Sequence, residues 1–238
     1  MISRNLDYIA DGKARTGFIA YDETRPGRRP AVLVLHEGAG LGEHVRERAR
    51  RLAGLGYVAF ALDLFVGPFE SRAQGIVVIT GMVADPSGVR RHGAEALVLM
   101  RARPEVDPVR TAAIGFCFGG WAALEMARGG LDLGCAVSFH GGLHSTAPAG
   151  PGALKGPVLV CTGADDPHVP ADQRAAFEAE MTAAGADWRL NLYGGAQHGF
   201  TDAAVDPAKW PGAAYHPSAD ARSWRAMLDL FDEVFGPV

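Results

Sequence analysis

The sequence predicts an α/β fold, a mostly parallel central sheet with helices on both faces. Three observations predict it. Apolar runs of strand length alternate with longer helical stretches from about residue 30 to the end. Those runs are continuous rather than alternating, as a sheet covered on both faces requires. No linker, repeat or low-complexity segment interrupts them, so the 238 residues read as one domain.

The elements follow in order. Ala31 to Leu35 is strand-like, Glu43 to Leu55 helical, and Tyr57 to Leu62 strand-like. Residues 63 to 85 are the least regular part, expected to form a loop and a short helix over the site. Gly88 to Arg103 is an amphipathic helix that stops at Pro104. Thr111 to Phe116 is a strand, and Trp121 to Arg128 a helix ended by Gly129 and Gly130. Gly134 to Phe139 and Pro157 to Thr162 are strands. Asp172 to Ala184 is a helix closed by Gly185, Trp188 to Tyr193 a strand, and Ser218 to Phe235 the last helix. In such sheets ligands gather at the carboxyl ends of the strands, so functional side chains are expected just after them.

Composition narrows the function. The chain is 48% hydrophobic and 21% charged, with a formal net charge of −4. Nothing in that balance favours nucleic acid or an anionic membrane as partner. Arg46, Arg48, Arg50 and Arg51, near Glu43 and Glu47, are expected to form a solvated helix face. No apolar run approaches the roughly 20 residues of a spanning helix, and no signal-peptide core is visible. The three cysteines, in apolar strand-like contexts, read as reduced thiols of a cytoplasmic protein. The histidines lack H-E-x-x-H spacing and the cysteines lack C-x-x-C, so neither metal nor cofactor is expected.

One cysteine stands apart. Gly115-Phe116-Cys117-Phe118-Gly119-Gly120 follows a strand and opens a helix. This is the Gly-x-nucleophile-x-Gly elbow of the α/β-hydrolase fold, with cysteine in the nucleophile position. The turn is sharp, which is why glycines flank it, and it aims the Phe118 N–H at a developing oxyanion. A thiolate at that helix N-terminus is stabilised by the helix dipole. The sequence lacks the lysine and the spacing of a phosphate-binding glycine loop.

A nucleophile needs a base, and the base an orienting acid. After the strand ending at Thr162 comes Ala164-Asp165-Asp166-Pro167-His168-Val169-Pro170, and after the strand ending at Tyr193 comes Gln197-His198-Gly199-Phe200. Cys117, Asp166 and His198 therefore occur in the chain order nucleophile, acid, base. Asp165 is the alternative acid, either aspartate could instead cap the following helix, and His168 is read as a helix-entrance residue. Cys135 and Cys161 lie within strands and read as packing residues.

With these motifs the chain resembles the dienelactone hydrolase family, from the Ala31 strand to the Ser218 helix. The resemblance rests on His36-Glu37-Gly38, the Cys117 elbow, Asp166-Pro167-His168-Val169-Pro170 and His198-Gly199-Phe200. Asp63 in Ala61-Leu62-Asp63-Leu64-Phe65 resembles a further strand-end segment of the family. The resemblance implies an ester or lactone hydrolase acting through a thioester, with Gly38 as second oxyanion donor and Glu37 as a carboxylate that hydrogen-bonds the resting thiol. It departs at Asp202, where a substrate-gripping arginine is expected, and Arg72 only approximates the place of the other arginine. Trp210, Tyr215 and His140 are read as pocket-rim residues. Two other readings are a hydrolase-fold binding or signalling protein with little turnover, and thiol redox sensing by Cys117, for which no resolving cysteine lies nearby in sequence.

Overall fold

A computed structural model describes residues 1–238. In chain order the elements are β1 (Ile2–Ala10), β2 (Lys13–Tyr21), β3 (Arg29–Leu35), α1 (Glu43–Leu55), β4 (Val58–Leu62), α2 (Arg72–Ala84), α3 (Ser87–Arg101), β5 (Val106–Phe116), α4 (Phe118–Arg128), β6 (Cys135–Phe139), β7 (Val158–Gly163), α5 (Ala171–Ala183), β8 (Trp188–Tyr193) and α6 (Pro217–Phe235). All eight strands form one sheet in the order β1-β2-β4-β3-β5-β6-β7-β8. The β1–β2 and β2–β4 pairs are antiparallel, and every pair from β4 to β8 is parallel.

The continuous apolar runs have their explanation here. Along β3, Val32 and Val34 enter a core shared with Val45, Ala49 and Leu52 of α1 and Met227 and Phe231 of α6. Leu33 and Leu35 enter the opposite core, with Met100 of α3 and Trp121 and Met126 of α4. A strand whose successive side chains face two separate cores has no position free for a polar residue. Further along that second face, Leu124 and Ala127 of α4 meet Phe177 and Met181 of α5. No helix is long and apolar enough to cross a membrane.

Four details differ from the sequence expectation. The first is the β1–β2 hairpin, whose apolar residues gather toward the ends of its strands and neither alternate strictly nor run continuously. Its signal was Asp11-Gly12, both at positive φ (53° and 66°), the two-residue link of a type I′ hairpin. Secondly, α2 is a full helix, with the Ser71 hydroxyl accepting the Gln74 N–H at 3.2 Å. Thirdly, α4 starts at Phe118 rather than Trp121.

The fourth is a correction. Arg48 is buried, three residues after Val45 and four before Leu52, on the core stripe of α1. Its guanidinium reaches Asp220 of α6 at 3.0 Å and the Thr201 carbonyl at 2.5 Å. Its neighbours lie over aromatic rings, Arg46 and Arg50 on Phe18 and Arg51 on Trp224.

The connection from β3 runs through α1 to β4 on one side, and the connection from β4 crosses back through α2 and α3 to β5 on the other side of β3. That switch point opens a cleft at the carboxyl ends of β3 and β5. The start of α4 is pressed against it, and a Cβ at Gly119 would overlap the Leu35 carbonyl. Gly119→Ala is therefore expected to cost about 3 kcal/mol or more, since backbone rather than a flexible side chain must yield. Urea unfolding followed by circular dichroism measures it, and an unchanged midpoint would contradict this packing.

Candidate active site

Cys117 occupies the turn between β5 and α4 at φ 53° and ψ −116°. That conformation is unfavourable for a non-glycine residue, and the surroundings hold it. The Cys117 N–H is shared between the Phe139 carbonyl at 3.0 Å and His140 Nδ1 at 3.1 Å, both at the end of β6. The sulfur is half-buried in the cleft.

Three loops converge on it. His198 Nε2 lies 3.1 Å from Cys117 Sγ, and His198 Nδ1 lies 2.9 Å from Asp166 Oδ2. Asp166 is buried, and its other oxygen accepts the His168 N–H at 2.8 Å, so one oxygen is anchored and the other aimed. Asp165 is exposed. The His168 ring packs edge-on against His198 at 4.8 Å between centroids. The His198 backbone is itself fixed, its N–H donating to the Gly212 carbonyl (3.1 Å) and its carbonyl accepting the Ala214 N–H (3.0 Å).

Electrostatics separate the histidines. Burial alone would lower the His198 pKa, but the hydrogen bonds to Asp166 and Cys117 outweigh it and carry the group up to about 10. His198 is thus an imidazolium at neutral pH, facing the sulfur. His140 is held far below its ordinary value, first by burial and then by positive neighbours including His198, so it is neutral. Its Nδ1 accepts the Cys117 N–H, which leaves Nε2 to donate to Thr201 Oγ1 at 2.8 Å. Burial likewise raises the other two thiols, Cys161 to about 12 and Cys135 further, and both are packing residues.

The pairing of β3 with β5 sets Leu35 beside Gly115, and so brings Glu37 and Gly38 alongside Cys117. The Phe118 N–H heads α4 and has no acceptor within the helix. The Gly38 N–H has no acceptor within the chain. Buried His36 orients its peptide. His36 Nε2 accepts the Leu64 N–H at 3.0 Å, so Nδ1 donates to the Glu37 carbonyl at 2.7 Å. The Gly40 N–H reaches the same carbonyl at 3.1 Å. Across a trans peptide, a carbonyl turned toward His36 directs the Gly38 N–H the opposite way.

Other expected residues lie elsewhere. The Glu37 carboxylate is bound to His44 Nδ1 rather than to the thiol. His140 is beneath the elbow and not on a pocket rim, because the β6–β5 pairing carries it under Cys117. Asp202 is half-buried and accepts the Ala204 N–H at 2.9 Å, which ties it to its own turn. Arg72, exposed at the start of α2, lies 4.3 Å from the Trp210 ring centroid, so α2 and the loop after His198 meet there. Tyr215 is half-exposed and directs its hydroxyl to Asp220 at 3.3 Å. His44, Thr201 and Asp220 carried no sequence signal; His140, directly after a predicted strand, did.

Comparison with known proteins identifies the family of the chain. The family model of the dienelactone hydrolase family matches residues 16–235. The chain belongs to the dienelactone hydrolase family. Its α/β-hydrolase fold is shared by the solved structure called m3DLH, 44% identical over 98% of both chains with a TM-score of 0.92. A dienelactone hydrolase-like promiscuous phosphotriesterase from metagenomic libraries is 40% identical over 99% of both chains, at a TM-score of 0.90. A Yersinia pestis protein with the provisional name carboxymethylenebutenolidase is 28% identical, the match covering 94% of this chain and 85% of that one. This family member is a hydrolase.

The raised His198 value carries a stability consequence. The folded protein holds that proton more tightly than the unfolded chain, whose ordinary histidine value is 6.5. The contribution is complete below about 6.5 and is lost as pH rises through about 10. The stability difference between wild type and His198→Gln, from urea melts, is expected to narrow as pH is raised from 7 to above 10. A difference that widens over this range would contradict the ion pairing.

Proposed function

We propose that this protein hydrolyses small carboxylic esters or lactones with Cys117 as nucleophile, His198 as base and acid, and Asp166 as the group that orients His198. The observation that carries the reading is the unbroken line from Asp166 Oδ2 through His198 to Cys117 Sγ, with links of 2.9 Å and 3.1 Å. Family membership supports the reaction class.

The steps follow from where the protons lie. The proton shared by the pair lies on His198, and the thiolate adds to the substrate carbonyl, forming the C–S bond. The N–H groups of Phe118 and Gly38 receive the negative oxygen. As the intermediate collapses, the C–O bond breaks and the departing alkoxide takes the proton from His198 Nε2. The thioester remains. Loss of the thiolate lowers the proton affinity of His198, which frees it to act as base toward water. Hydroxide adds to the thioester, the C–S bond breaks, and acid and thiolate are restored. A thiolate leaves readily, so the scheme suits activated esters and enol lactones.

The substrate class inherits a constraint from Asp202. Its carboxylate in place of an arginine gives no clamp for an anionic substrate, so neutral esters are the expected better substrates. Cys117→Ala is expected to abolish release of p-nitrophenolate from p-nitrophenyl acetate while the protein stays folded. Wild type is expected to show a burst and a mass increase of one acetyl group on Cys117. Hydrolysis at the wild-type rate by Cys117→Ala would end this reading.

A second reading rests on the phosphotriesterase that is 40% identical to this chain. The same thiolate could add to phosphorus, forming a P–S bond and expelling an aryl oxide that takes the His198 proton. Incubation with an aryl dialkyl phosphate is then expected to leave a dialkylphosphoryl group on Cys117 in intact-protein mass spectra. The absence of both an adduct and phenol release would remove it.

A further inference from the structure

Glu37 raises a problem that the proposed chemistry does not address. The pairing of β3 with β5 ends at Leu35 and Gly115, and the His36 carbonyl lies against Gly119, so the Glu37 loop leaves the sheet beside the elbow. A free carboxylate turned toward the sulfur would disfavour the thiolate by like-charge repulsion. The sulfur nevertheless faces His198. The Glu37 carboxylate is turned the other way, to Nδ1 of His44 on α1.

His44 is built into the core side of its helix. Its ring packs edge-on to Phe116, with 4.9 Å between centroids. Its Nε2 has two neighbours of opposite kind, the Arg48 Nε–H at 3.1 Å and the Thr201 carbonyl at 3.2 Å. A neutral ring accepts from Arg48, and a protonated ring donates to Thr201. In both states Nδ1 keeps its proton and donates to Glu37, so the hold on the carboxylate does not depend on the charge of His44.

The charged and titratable groups around this pair are accounted for. Arg48, on the same helix, is engaged by Asp220 of α6, with Glu47 at 3.6 Å and the Tyr215 hydroxyl on Asp220. His140, from the end of β6, and His36, from the loop of Glu37 itself, are both kept neutral by burial. Cys117 and His198 are the remaining pair. No other cation within salt-bridge distance competes with His44 for Glu37.

We infer that His44 is a positioning residue that holds Glu37 away from Cys117, so that the thiol pairs with His198 before any substrate arrives. The inference rests on the reading of Cys117 as nucleophile, but it concerns thiol reactivity and is measured without an ester.

The probe is iodoacetamide, with carboxamidomethylation of Cys117 followed by intact mass from pH 5 to 9. The other cysteines are fully buried and stay silent. His44→Ala is expected to slow alkylation at pH 7 about ten-fold, the size of one unit of like-charge effect, and to recover toward wild type at pH 9. His44→Asn, whose side-chain amide can donate in place of Nδ1, is expected to keep the wild-type profile. His44→Ala/Glu37→Gln is expected to return within about three-fold of wild type, because the released carboxylate is gone. An unchanged profile in His44→Ala would overturn the inference, as would a double variant as slow as the single one. Glu37→Gln alone tests it independently of whether His44→Ala folds. A change under about three-fold is expected, whereas a gain of ten-fold or more would mean that Glu37 already acts on the thiol in the wild type. Ester hydrolysis by Cys117→Ala is a separate result. It would defeat the nucleophile reading and leave these alkylation rates standing.

Discussion

The backbone of Cys117 is the constraint on which the rest of the site depends. At φ 53° the residue cannot relax into either β5 or α4, and two acceptors at the end of β6 hold its N–H in place. Every neighbouring feature is fitted to this turn. Gly119 has no side chain because the end of β3 lies against it, and Gly115 lacks one because a Cβ would meet the carbonyl of Gly119. The strain is of the order of 1–3 kcal/mol, small against the packing of two buried cores that share the same strands. In return, the sulfur stands clear of the sheet, and the Phe118 N–H heads a helix beside it.

Around that turn, five histidines do different work because their surroundings differ. His36 and His140 are neutral through burial, and each accepts a backbone N–H at one ring nitrogen and donates from the other. They are scaffolding, one for the loop of Glu37 and Gly38 and one for the Cys117 turn. Burial acts on His198 in the same direction, yet the hydrogen bonds to Asp166 and Cys117 keep its proton in place. His168 packs against His198 and leaves its backbone N–H to Asp166. His44 sits between the Glu37 carboxylate and the buried Arg48. Residue type alone does not separate these roles; the partner at each nitrogen does.

The hydrogen bonds behind Cys117 and His198 form a continuous network. Thr201 accepts from Arg48 through its carbonyl and from His140 through its hydroxyl, and it lies on the loop that carries His198. Arg48 runs on to Asp220 in α6. Loops following β3, β6 and β8 are thereby tied to α1 and α6. Phe65 is stacked on Phe118 at 5.4 Å between centroids and Phe118 on Trp121 at 5.3 Å, an aromatic row at the start of α4. The polar network fixes the loops around Cys117, and where it is buried its hydrogen bonds gain strength.

The sequence by itself determined the elements, because strands feeding two cores must be continuously apolar and helices covering them must be amphipathic. It also determined the order of Cys117, Asp166 and His198, since each follows a strand whose end lies in the cleft. Between two adjacent aspartates, only the tertiary structure decided, by burying Asp166 against His198 and leaving Asp165 outside. It also decided the fate of Arg48, which resembles Arg46, Arg50 and Arg51 in type and differs from them in helical phase relative to a core in another part of the chain. The same holds for Glu37. Its loop leaves β3 next to the elbow through the pairing of β3 with β5, but its carboxylate is bound by His44, whose ring meets Arg48 and the Thr201 carbonyl, more than 150 residues further along the chain. Local sequence carries the information for local conformation; charge placement in a buried site depends on partners that only folding brings within hydrogen-bonding distance.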